Sequence, residues 1–273
     1  MYQLVDFGNG RKLERFGDWL IDRPCPAAEN HAADGQWAPA DGFFRMGKGH
    51  RGQWQFKQAA PQDWTLPTCF GQMQLFPTDF GHLGVFVEQQ QNWKWLGGLP
   101  LSGLRLLNLF AYTGGSTLAA AFAGAEVTHI DSAKNIVRRA SENALASGLQ
   151  DRTIRWIVED ARKFVLREGK RGNRYDGVIF DPPSYGHGAS SGTTWQIEND
   201  LNGLVDGLRE IVPACRLMLF TCHSPGFTGQ HMRNIVSGFC NRPGLSVQTG
   251  AMNLETESGR QLPCGNFVRW FDE

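Results

Sequence analysis

The sequence predicts a doubly wound, mostly parallel, seven-stranded α/β sheet of the Rossmann-like type, behind a small β-rich amino-terminal unit. Two observations support this prediction. From residue 104 onward, apolar β-branched runs alternate with amphipathic stretches, which is typical of successive βαβ units. Before residue 96, the chain is rich in Gly, Pro, Asp and Gln and holds six of the nine tryptophans. We therefore expect a small accessory domain over 1–95 and a larger α/β domain over 96–273.

Length, charge and cysteine content narrow the class of protein. A chain of 273 residues that is 41% hydrophobic can bury one full α/β core with a smaller unit attached. It has no apolar run near the roughly 18 residues of a membrane helix, so we expect a soluble, cytoplasmic protein without a membrane partner.

The 27 basic residues equal the 27 acidic ones, so any RNA must be held by a local patch. Six cysteines without a CxxC pair predict reduced thiols, no metal and no disulfide framework.

In the accessory region, two short segments alternate polar and apolar residues in the manner of half-buried strands. They span 54–57 and 73–76, and Pro61, Pro67 and Pro77 are expected to break the chain between them. The tryptophans of this region fit either a small aromatic core or a surface that stacks on bases.

The strands of the larger sheet follow in chain order. Their predicted bounds are 105–110, 126–131, 154–158, 176–181 and 217–222, with helices between them. Their nearly continuous apolar character indicates that both faces of the sheet are covered. After a helix around 231–239, the segments 245–255 and 266–271 are expected to form a terminal hairpin that completes the seven strands.

The first of these strands runs into a glycine turn, and a helix is expected to begin near Ser116. Such a turn lets the backbone approach a ligand, and a helix start offers unpaired N–H groups. The turn lacks the G-x-G-x-x-G pattern that receives a pyrophosphate, which argues against an NAD-dependent dehydrogenase. The predicted ligand contacts in this stretch are Asn108, Phe110, Ala111, Tyr112, Thr113, Gly114 and Gly115.

Two acidic residues stand where the next two strands end. Asp131 lies 21 residues after Phe110 (131 − 110), a spacing at which Rossmann-like folds hold ribose hydroxyls, and Ser132 follows it. Asp160, followed by Ala161, lies where a carboxylate can accept a hydrogen bond from an adenine amine. Because both precede predicted helices, a role as helix N-cap is the alternative for each.

The fourth strand delivers Asp181-Pro182-Pro183-Ser184-Tyr185 at its carboxyl end. Two consecutive prolines restrict the backbone, so this turn is expected to form a rigid wall beside the ligand. Asp181 can face a positively charged part of that ligand, and backbone carbonyls can accept from an amine. Cys222 ends the fifth strand at the same edge, where it is either a nucleophile or a small apolar filler.

With these residues, the chain resembles the S-adenosylmethionine-dependent methyltransferases related to the large-subunit ribosomal RNA cytosine methyltransferases. The resemblance covers roughly 84–227 and includes the glycine turn, both strand-end aspartates and the Asp-Pro-Pro turn. It also includes 84–93, which is similar to the family's G-x-F-L-D-Q-R-x-N-R element. The resemblance implies a class I methyltransferase fold, S-adenosylmethionine as cofactor, and Glu88, Gln89 and Asn92 as pocket residues.

Two departures from the family pattern concern the acceptor. Where the relatives carry T-x-S-C-S, this chain reads Thr221-Cys222-His223-Ser224-Pro225, so Ser224 occupies the family's catalytic cysteine position and only Cys222 could substitute. The amino-terminal unit also differs from the relatives' RNA-binding module. The resemblance implies methylation of an RNA base, with ribosomal RNA favoured; a small molecule or protein acceptor, or a non-catalytic RNA-associated module, are alternatives. Tyr185, His187 and His223 are candidates for proton removal.

Overall fold

The computed structural model describes residues 1–37, 39–47, 51–187, 194–239 and 244–273, which form two compact units. The first unit comprises Met1–Gln90 and Asn253–Cys264, and the second comprises Gln91–Met252 and Gly265–Glu273. The border expected after residue 95 lies five residues beyond Gln90, and the return of a late segment to the first unit has no signal in the sequence. The division into domains 1–95 and 96–273 stays a prediction.

The first unit contains a five-stranded sheet in the order β1-β2-β3-β4-β5 and a two-stranded ribbon. Neighbouring strands are antiparallel, except that β3 and β4 run parallel. The sheet strands are β1 Tyr2–Gly8, β2 Arg11–Phe16, β3 Trp19–Pro24, β4 Gly42–Met46 and β5 Gly52–Phe56. The ribbon pairs β6 Thr65–Thr68 with β7 Gly71–Gln74.

Pro67 does not break the chain as expected but lies inside β6. A ribbon of two strands consists of edges only, where a residue without an N–H group is tolerated. The two predicted strands of this region, 54–57 and 73–76, overlap β5 and β7. Trp64 is buried, with its ring centroid 6.1 Å from that of Phe16, in agreement with an aromatic core.

A buried ion-pair network lies inside the first unit. The carboxylate of Glu14 is fully buried and accepts hydrogen bonds from the guanidinium of Arg23 and from the Tyr2 hydroxyl, while the ammonium group of Lys12 lies 3.0 Å from it. Burial alone would raise the pKa of Glu14, but the positive charges of Arg23 and Lys12 outweigh that effect and lower it to about 2. The network therefore requires Glu14 to be ionised.

The second unit is built on a seven-stranded sheet in the order β10-β9-β8-β11-β14-β16-β15. The first five strands in this order are parallel, and β16 is antiparallel to β14. The predicted seven-stranded, mostly parallel sheet behind a β-rich amino-terminal unit is confirmed. Its strands are β8 Arg105–Leu109, β9 Glu126–Asp131, β10 Ile154–Val158, β11 Gly177–Phe180, β14 Leu217–Cys222, β15 Gln248–Glu255 and β16 Gln261–Phe271; the parts of β15 and β16 that fall within Asn253–Cys264 are assigned to the first unit.

Helices alternate with these strands, and a small ribbon joins β11 to the fifth helix. The helices are α1 Gln90–Gly97, α2 Gly115–Phe122, α3 Lys134–Ala146, α4 Ala161–Arg171, α5 Ile197–Ile211 and α6 Gly229–Ile235, and the ribbon is β12 Tyr185–His187 with β13 Thr194–Gln196. The helix expected over 231–239 ends at Ile235, and a 3₁₀ turn follows at Ser237–Phe239. No described helix combines the length and apolarity needed to cross a membrane.

The core of the second unit lies between the sheet and helices α4 and α5. Phe180 on β11 stacks on Phe220 of the neighbouring β14, with 4.4 Å between ring centroids. Phe164 of α4 and Leu208 of α5 are fully buried in the same cluster. β8, β9, β11 and β14 are largely buried, as expected from their apolar character, whereas the edge strand β10 is partly exposed.

We predict that Glu14→Gln destabilises the protein by about 3–5 kcal/mol, because it leaves Arg23 and Lys12 buried without a counter-charge. The folded-state pKa of Glu14, about 2, lies below its ordinary value of 4.5, so its stabilisation is full above about pH 4.5 and is lost as the pH falls toward 2. Denaturant unfolding at several pH values would measure both effects. Glu29→Gln, at an exposed position of the same unit, is the control; equal unfolding midpoints for the two variants would contradict the prediction.

Candidate functional site

The carboxyl ends of five parallel strands meet at one edge of the sheet. The strand order reverses at β8, which has β9 and β10 on one side and β11 and β14 on the other. In open α/β sheets, ligands bind outside the carboxyl ends of the strands at such a reversal. The predicted residues Phe110, Asp131, Asp160, Asp181 and Cys222 all lie at or next to these strand ends.

The turn after β8 has an unusual backbone. Phe110 and Tyr112 adopt positive φ angles of 54° and 49°, and Gly114 follows at 92°. Left-handed conformations cost energy for residues with a side chain, so the surroundings must hold the turn in place. The N–H of Ala111 donates to the carbonyl of Ile130 at 3.0 Å, and that of Tyr112 donates to the Asp131 carboxylate at 3.0 Å. This conformation explains why β8 ends one residue earlier than predicted.

Helix α2 begins directly after this turn, at Gly115. A β-carbon on Gly115 would lie 2.3 Å from the indole ring of Trp93, so only glycine fits there. Asn108 and Thr117 are buried and hydrogen-bonded to each other at 2.8 Å, and the side chain of Asn143 donates to the carbonyl of Thr113 at 2.9 Å. The first turn of α2 thus presents its N–H groups from a rigid position.

Asp131 is oriented by the backbone on both sides. One carboxylate oxygen accepts from the N–H of Tyr112 and the other from the N–H of Ala133, each at 3.0 Å. Burial raises the pKa of Asp131, and the hydrogen bonds from backbone N–H groups oppose that rise. The residue at the N-cap of α3 is Ala133 and not Asp131 or Ser132, and the roughly four acceptor positions of the Asp131 carboxylate exceed its three backbone donors, Tyr112, Ser132 and Ala133.

Asp160 has a different environment. It is the N-cap of α4 and accepts from the N–H groups of Arg162 and Lys163, at 3.0 and 3.2 Å. The guanidinium of Arg162 also lies 3.3 Å from Asp160 and 2.6 Å from Asp200. The N-cap alternative is therefore present in the structure, and an adenine contact by Asp160 or Ala161 stays a prediction.

The loop after β11 contacts the end of β14. Asp181 pairs with the imidazole of His223 at 3.2 Å, and the hydroxyl of Ser184 lies 2.6 Å from that of Ser224. Tyr185 is 55% exposed and Pro182 is buried. The side chain of His187 lies outside the described residues. The strand ends thus bring a carboxylate, an imidazole and two hydroxyls together.

Cys222 is placed differently from these polar groups. Its side chain is fully buried in the hydrophobic core, where burial raises the pKa of the thiol. A nucleophile must reach its substrate and must ionise, so both observations act against a nucleophilic role. The environment of Cys222 is that of the alternative, a small apolar filler.

Trp195 on β13 is a residue of this site that the sequence reasoning did not select. Its indole N–H donates to the carbonyl of Pro183 at 2.6 Å, and its ring centroid lies 4.8 Å from that of Phe110. The guanidinium of Arg162 lies 5.7 Å from the same ring. Trp195 therefore joins the turn after β8 to the Asp-Pro-Pro loop. The available signal was a single tryptophan in a segment otherwise rich in Gly and Ser.

The three residues implied by the upstream element fall in different units: Glu88, which is buried, and Gln89 belong to the first, and Asn92 belongs to the second. Gln89 is a buried residue of the first unit, in a 3₁₀ turn at Val87–Gln89. Asn92 belongs to the second unit and is fully buried, and its side-chain oxygen accepts from Arg269 at 3.0 Å. A cofactor contact by Gln89 or Asn92 stays a prediction. Across the described ranges, no three His, Cys, Asp or Glu residues are grouped as a metal site.

Comparison with known proteins identifies the fold and the chemistry. Residues 73–230 match the family model of the S-adenosylmethionine-dependent methyltransferases. A solved structure of a SAM-dependent methyltransferase from Agrobacterium tumefaciens is 36% identical, with a TM-score of 0.88 over all of this chain and 90% of that one. A SAM-dependent methyltransferase fold from Streptococcus mutans is 17% identical, with a TM-score of 0.76 over 98% of this chain and 74% of that one.

Curated relatives share a shorter region. The "Ribosomal RNA large subunit methyltransferase K/L" proteins of Aeromonas hydrophila and Aeromonas salmonicida are each 27% identical over 144 residues. That region is 52% of this chain and 20% of each relative. The chain therefore matches about one fifth of the length of these relatives.

The residues at the sheet edge fit S-adenosylmethionine. The cofactor carries ribose hydroxyls, which suit the remaining acceptor capacity of the Asp131 carboxylate. It also carries a carboxylate, which suits the positive end of α2. It has no pyrophosphate, in agreement with a turn that lacks G-x-G-x-x-G.

We predict that Asp131→Asn weakens S-adenosylmethionine binding about 10- to 100-fold, since a ligand hydrogen bond to a charged group is lost. The amide nitrogen of the new side chain is itself a donor, and it would face the backbone N–H of either Tyr112 or Ala133. Two donors would then face each other where a carboxylate oxygen now accepts. Isothermal titration with S-adenosylmethionine, S-adenosylhomocysteine and NAD measures this, and NAD should not bind. Asp151→Asn at an exposed site of the same unit is the control; unchanged affinity in Asp131→Asn would exclude the ribose role.

Proposed function

Since this chain belongs to the family of S-adenosylmethionine-dependent methyltransferases, we propose that it methylates a nitrogen atom of an RNA base, with ribosomal RNA as the favoured acceptor. The choice of a nitrogen acceptor rests on the side chains that follow β11 and β14, where the acceptor is expected to bind. Asp181, His223 and Ser224 offer oxygen and nitrogen atoms there, while the nearby thiol of Cys222 is fully buried.

The cofactor would be held at the reversal of the strand order. Asp131 would accept from the ribose hydroxyls, and the turn over 110–115 would pack against the amino-acid part. When bound, S-adenosylmethionine supplies an electrophilic methyl group on a positively charged sulfur. Asp160 or the adjacent backbone would contact the adenine. The task of the protein is then to position the acceptor in line with that methyl group.

Asp181 and His223 would handle the proton of the acceptor. The carboxylate of Asp181 accepts a hydrogen bond from a base N–H and orients the nitrogen lone pair toward the methyl group. Transfer of the methyl group to the nitrogen would leave the electron pair of the broken S–CH₃ bond on the departing S-adenosylhomocysteine. The nitrogen then loses its proton to Asp181 or, through the 3.2 Å contact, to His223. Tyr185, exposed at the rim, is suited to stack on the acceptor base.

Carbon-5 methylation of cytosine requires a different apparatus. It needs a thiolate that attacks carbon 6 of the base, and the family places that cysteine where this chain has Ser224. The hydroxyl of Ser224 is mostly buried and lies 2.6 Å from that of Ser184. A hydroxyl is a far weaker nucleophile at neutral pH than a thiolate. These features support a nitrogen acceptor.

The choice of RNA is supported by relatives whose names refer to large-subunit ribosomal RNA. The test is methyl transfer from labelled S-adenosylmethionine to unmodified large-subunit ribosomal RNA, followed by mass spectrometry of the nucleosides. A base methylated on nitrogen is expected. Label in 5-methylcytidine would overturn the nitrogen acceptor, and label only in a protein or small-metabolite fraction would overturn RNA.

Three variants distinguish the roles of Asp181 and Cys222 in that assay. Asp181→Asn should lower kcat about 100-fold or more, since it removes an acid–base group. Cys222→Ala should keep a kcat near that of the wild type. Cys215→Ala, at another buried cysteine of the same unit, is its matched control. Loss of activity in Cys222→Ala but not in Cys215→Ala would show that Cys222 takes part in the reaction.

We further predict that Trp195→Phe lowers kcat about 10- to 100-fold and leaves cofactor affinity unchanged. Phenylalanine keeps a ring against Phe110 but loses the hydrogen bond that positions Pro183. A small displacement of the Asp-Pro-Pro loop would misplace the acceptor and lower the rate of methyl transfer. Trp195→Ala should lose both contacts and also weaken cofactor binding. Steady-state kinetics together with titration would separate these effects; a wild-type kcat in Trp195→Phe would show that the hydrogen bond has no positioning role.

A further inference from the structure

We propose that the outer face of the β4–β5 hairpin binds the sugar-phosphate backbone of single-stranded RNA, while Phe80 stacks on a base. This surface, called here the hairpin groove, consists of Arg45, Met46, Gly47, Arg51, Gly52, Gln53 and Gln55. The choice of RNA rests on the proposed function, and the site lies wholly within the first unit.

The strand register separates the two faces of the hairpin. In the antiparallel pairing, Phe44 lies opposite Trp54 and Arg45 lies opposite Gln53. Phe44 is fully buried and its ring centroid is 5.2 Å from that of Trp54, so this pair lies on the inner face. Because side chains alternate along a strand, Arg45, Gln53 and Gln55 project from the opposite, exposed face.

The hairpin groove is open and positively charged. Its volume is about 310 Å³, and no carboxylate is among the residues that line it. Neither Arg45 nor Arg51 has an ion-pair partner in the described part of the chain, and the sequence outside the described ranges contains no Asp or Glu. Arg11, Arg23 and Arg260 of the same unit each pair with a carboxylate. The groove thus offers two arginine charges that no acidic side chain neutralises.

The edge of the groove carries an exposed aromatic ring. Phe80 is 52% exposed, and the guanidinium of Arg51 lies 5.6 Å from its ring centroid. The backbone of the adjacent Asp79 accepts from the N–H of Gly52 at 2.8 Å, which attaches this segment to β5. An exposed phenylalanine held beside an arginine provides a face on which a base can stack.

These features together favour single-stranded RNA over other anions. Arginine forms bidentate contacts with phosphates, and the amides of Gln53 and Gln55 can donate to sugar and base oxygens. Duplex RNA would present no free base face to Phe80. The balanced charge of the whole chain, 27 basic and 27 acidic residues, requires a local patch of this kind for any RNA contact.

The test measures binding of a fluorescent single-stranded RNA oligonucleotide by anisotropy at several salt concentrations. Removing two phosphate contacts in Arg45→Gln/Arg51→Gln should reduce the slope of log Kd against log salt by about 1.4, at ~0.7 for each contact. Phe80→Ala should weaken binding about 5-fold or more at every salt concentration, because stacking is not screened. Arg138→Gln on the exposed face of α3 is the control and should change neither quantity.

A methylation assay on the same variants separates this proposal from the proposed function. The KM for RNA should rise in the groove variants, with kcat and cofactor affinity unchanged. If the wild type methylates RNA and the variants bind it with wild-type slope and affinity, the groove proposal is overturned and the function stands. If RNA is bound through the groove but never methylated, the function fails and the groove proposal stands. Binding of acidic peptides in place of RNA would overturn the groove proposal.

Discussion

Five neighbouring strands of the second unit run in the same direction, so each of them ends at the same edge of the sheet. Every polar group of the candidate site follows from this constraint. Asp131 ends β9, Asp181 follows β11, and His223 follows β14. The parallel order places residues that are nearly a hundred positions apart in sequence at one rim, without a contribution from any metal-binding cluster in the described ranges. The apolar strands fill the core, and the polar residues at or just beyond the strand ends lie at the edge where a ligand can bind.

The sequence predicted strand bounds best in the parallel sheet of the second unit. β9, β10 and β14 have the bounds that the sequence predicts, and β14, which is buried throughout, is apolar apart from Thr221 as expected for a strand covered on both faces. The five-stranded sheet of the first unit was largely missed for the opposite reason. Its strands β2 and β3 bring Lys12, Glu14 and Arg23 into the interior, where both cations pair with the Glu14 carboxylate. A buried charge and an exposed one look the same in a sequence, so the alternation that marks a half-buried strand is hidden.

Local sequence patterns also could not distinguish the roles of residues that depend on contacts with distant parts of the chain. Asp131 and Asp160 both follow strands and precede helices, yet Asp160 caps its helix while Asp131 is held by the turn after a different strand. Trp195 acquires its place through Pro183 and Phe110, which lie 12 and 85 residues earlier in the chain (195 − 183 and 195 − 110). Cys222 ends the right strand, but its side chain points to the core. For Asp131, Asp160 and Cys222 the place near a strand end was predictable from the sequence, and the surroundings of the side chain were not.

The close contact between Trp93 and Gly115 also restricts how such a chain can change over evolutionary time. An added methyl group at 115 would overlap the indole ring, and the indole N–H donates to the neighbouring Ser116 at 3.2 Å. A larger residue at 115 is therefore accessible only to lineages in which position 93 has already become smaller. The order of substitution matters: the two positions must covary, and the glycine can change only as the second of the pair.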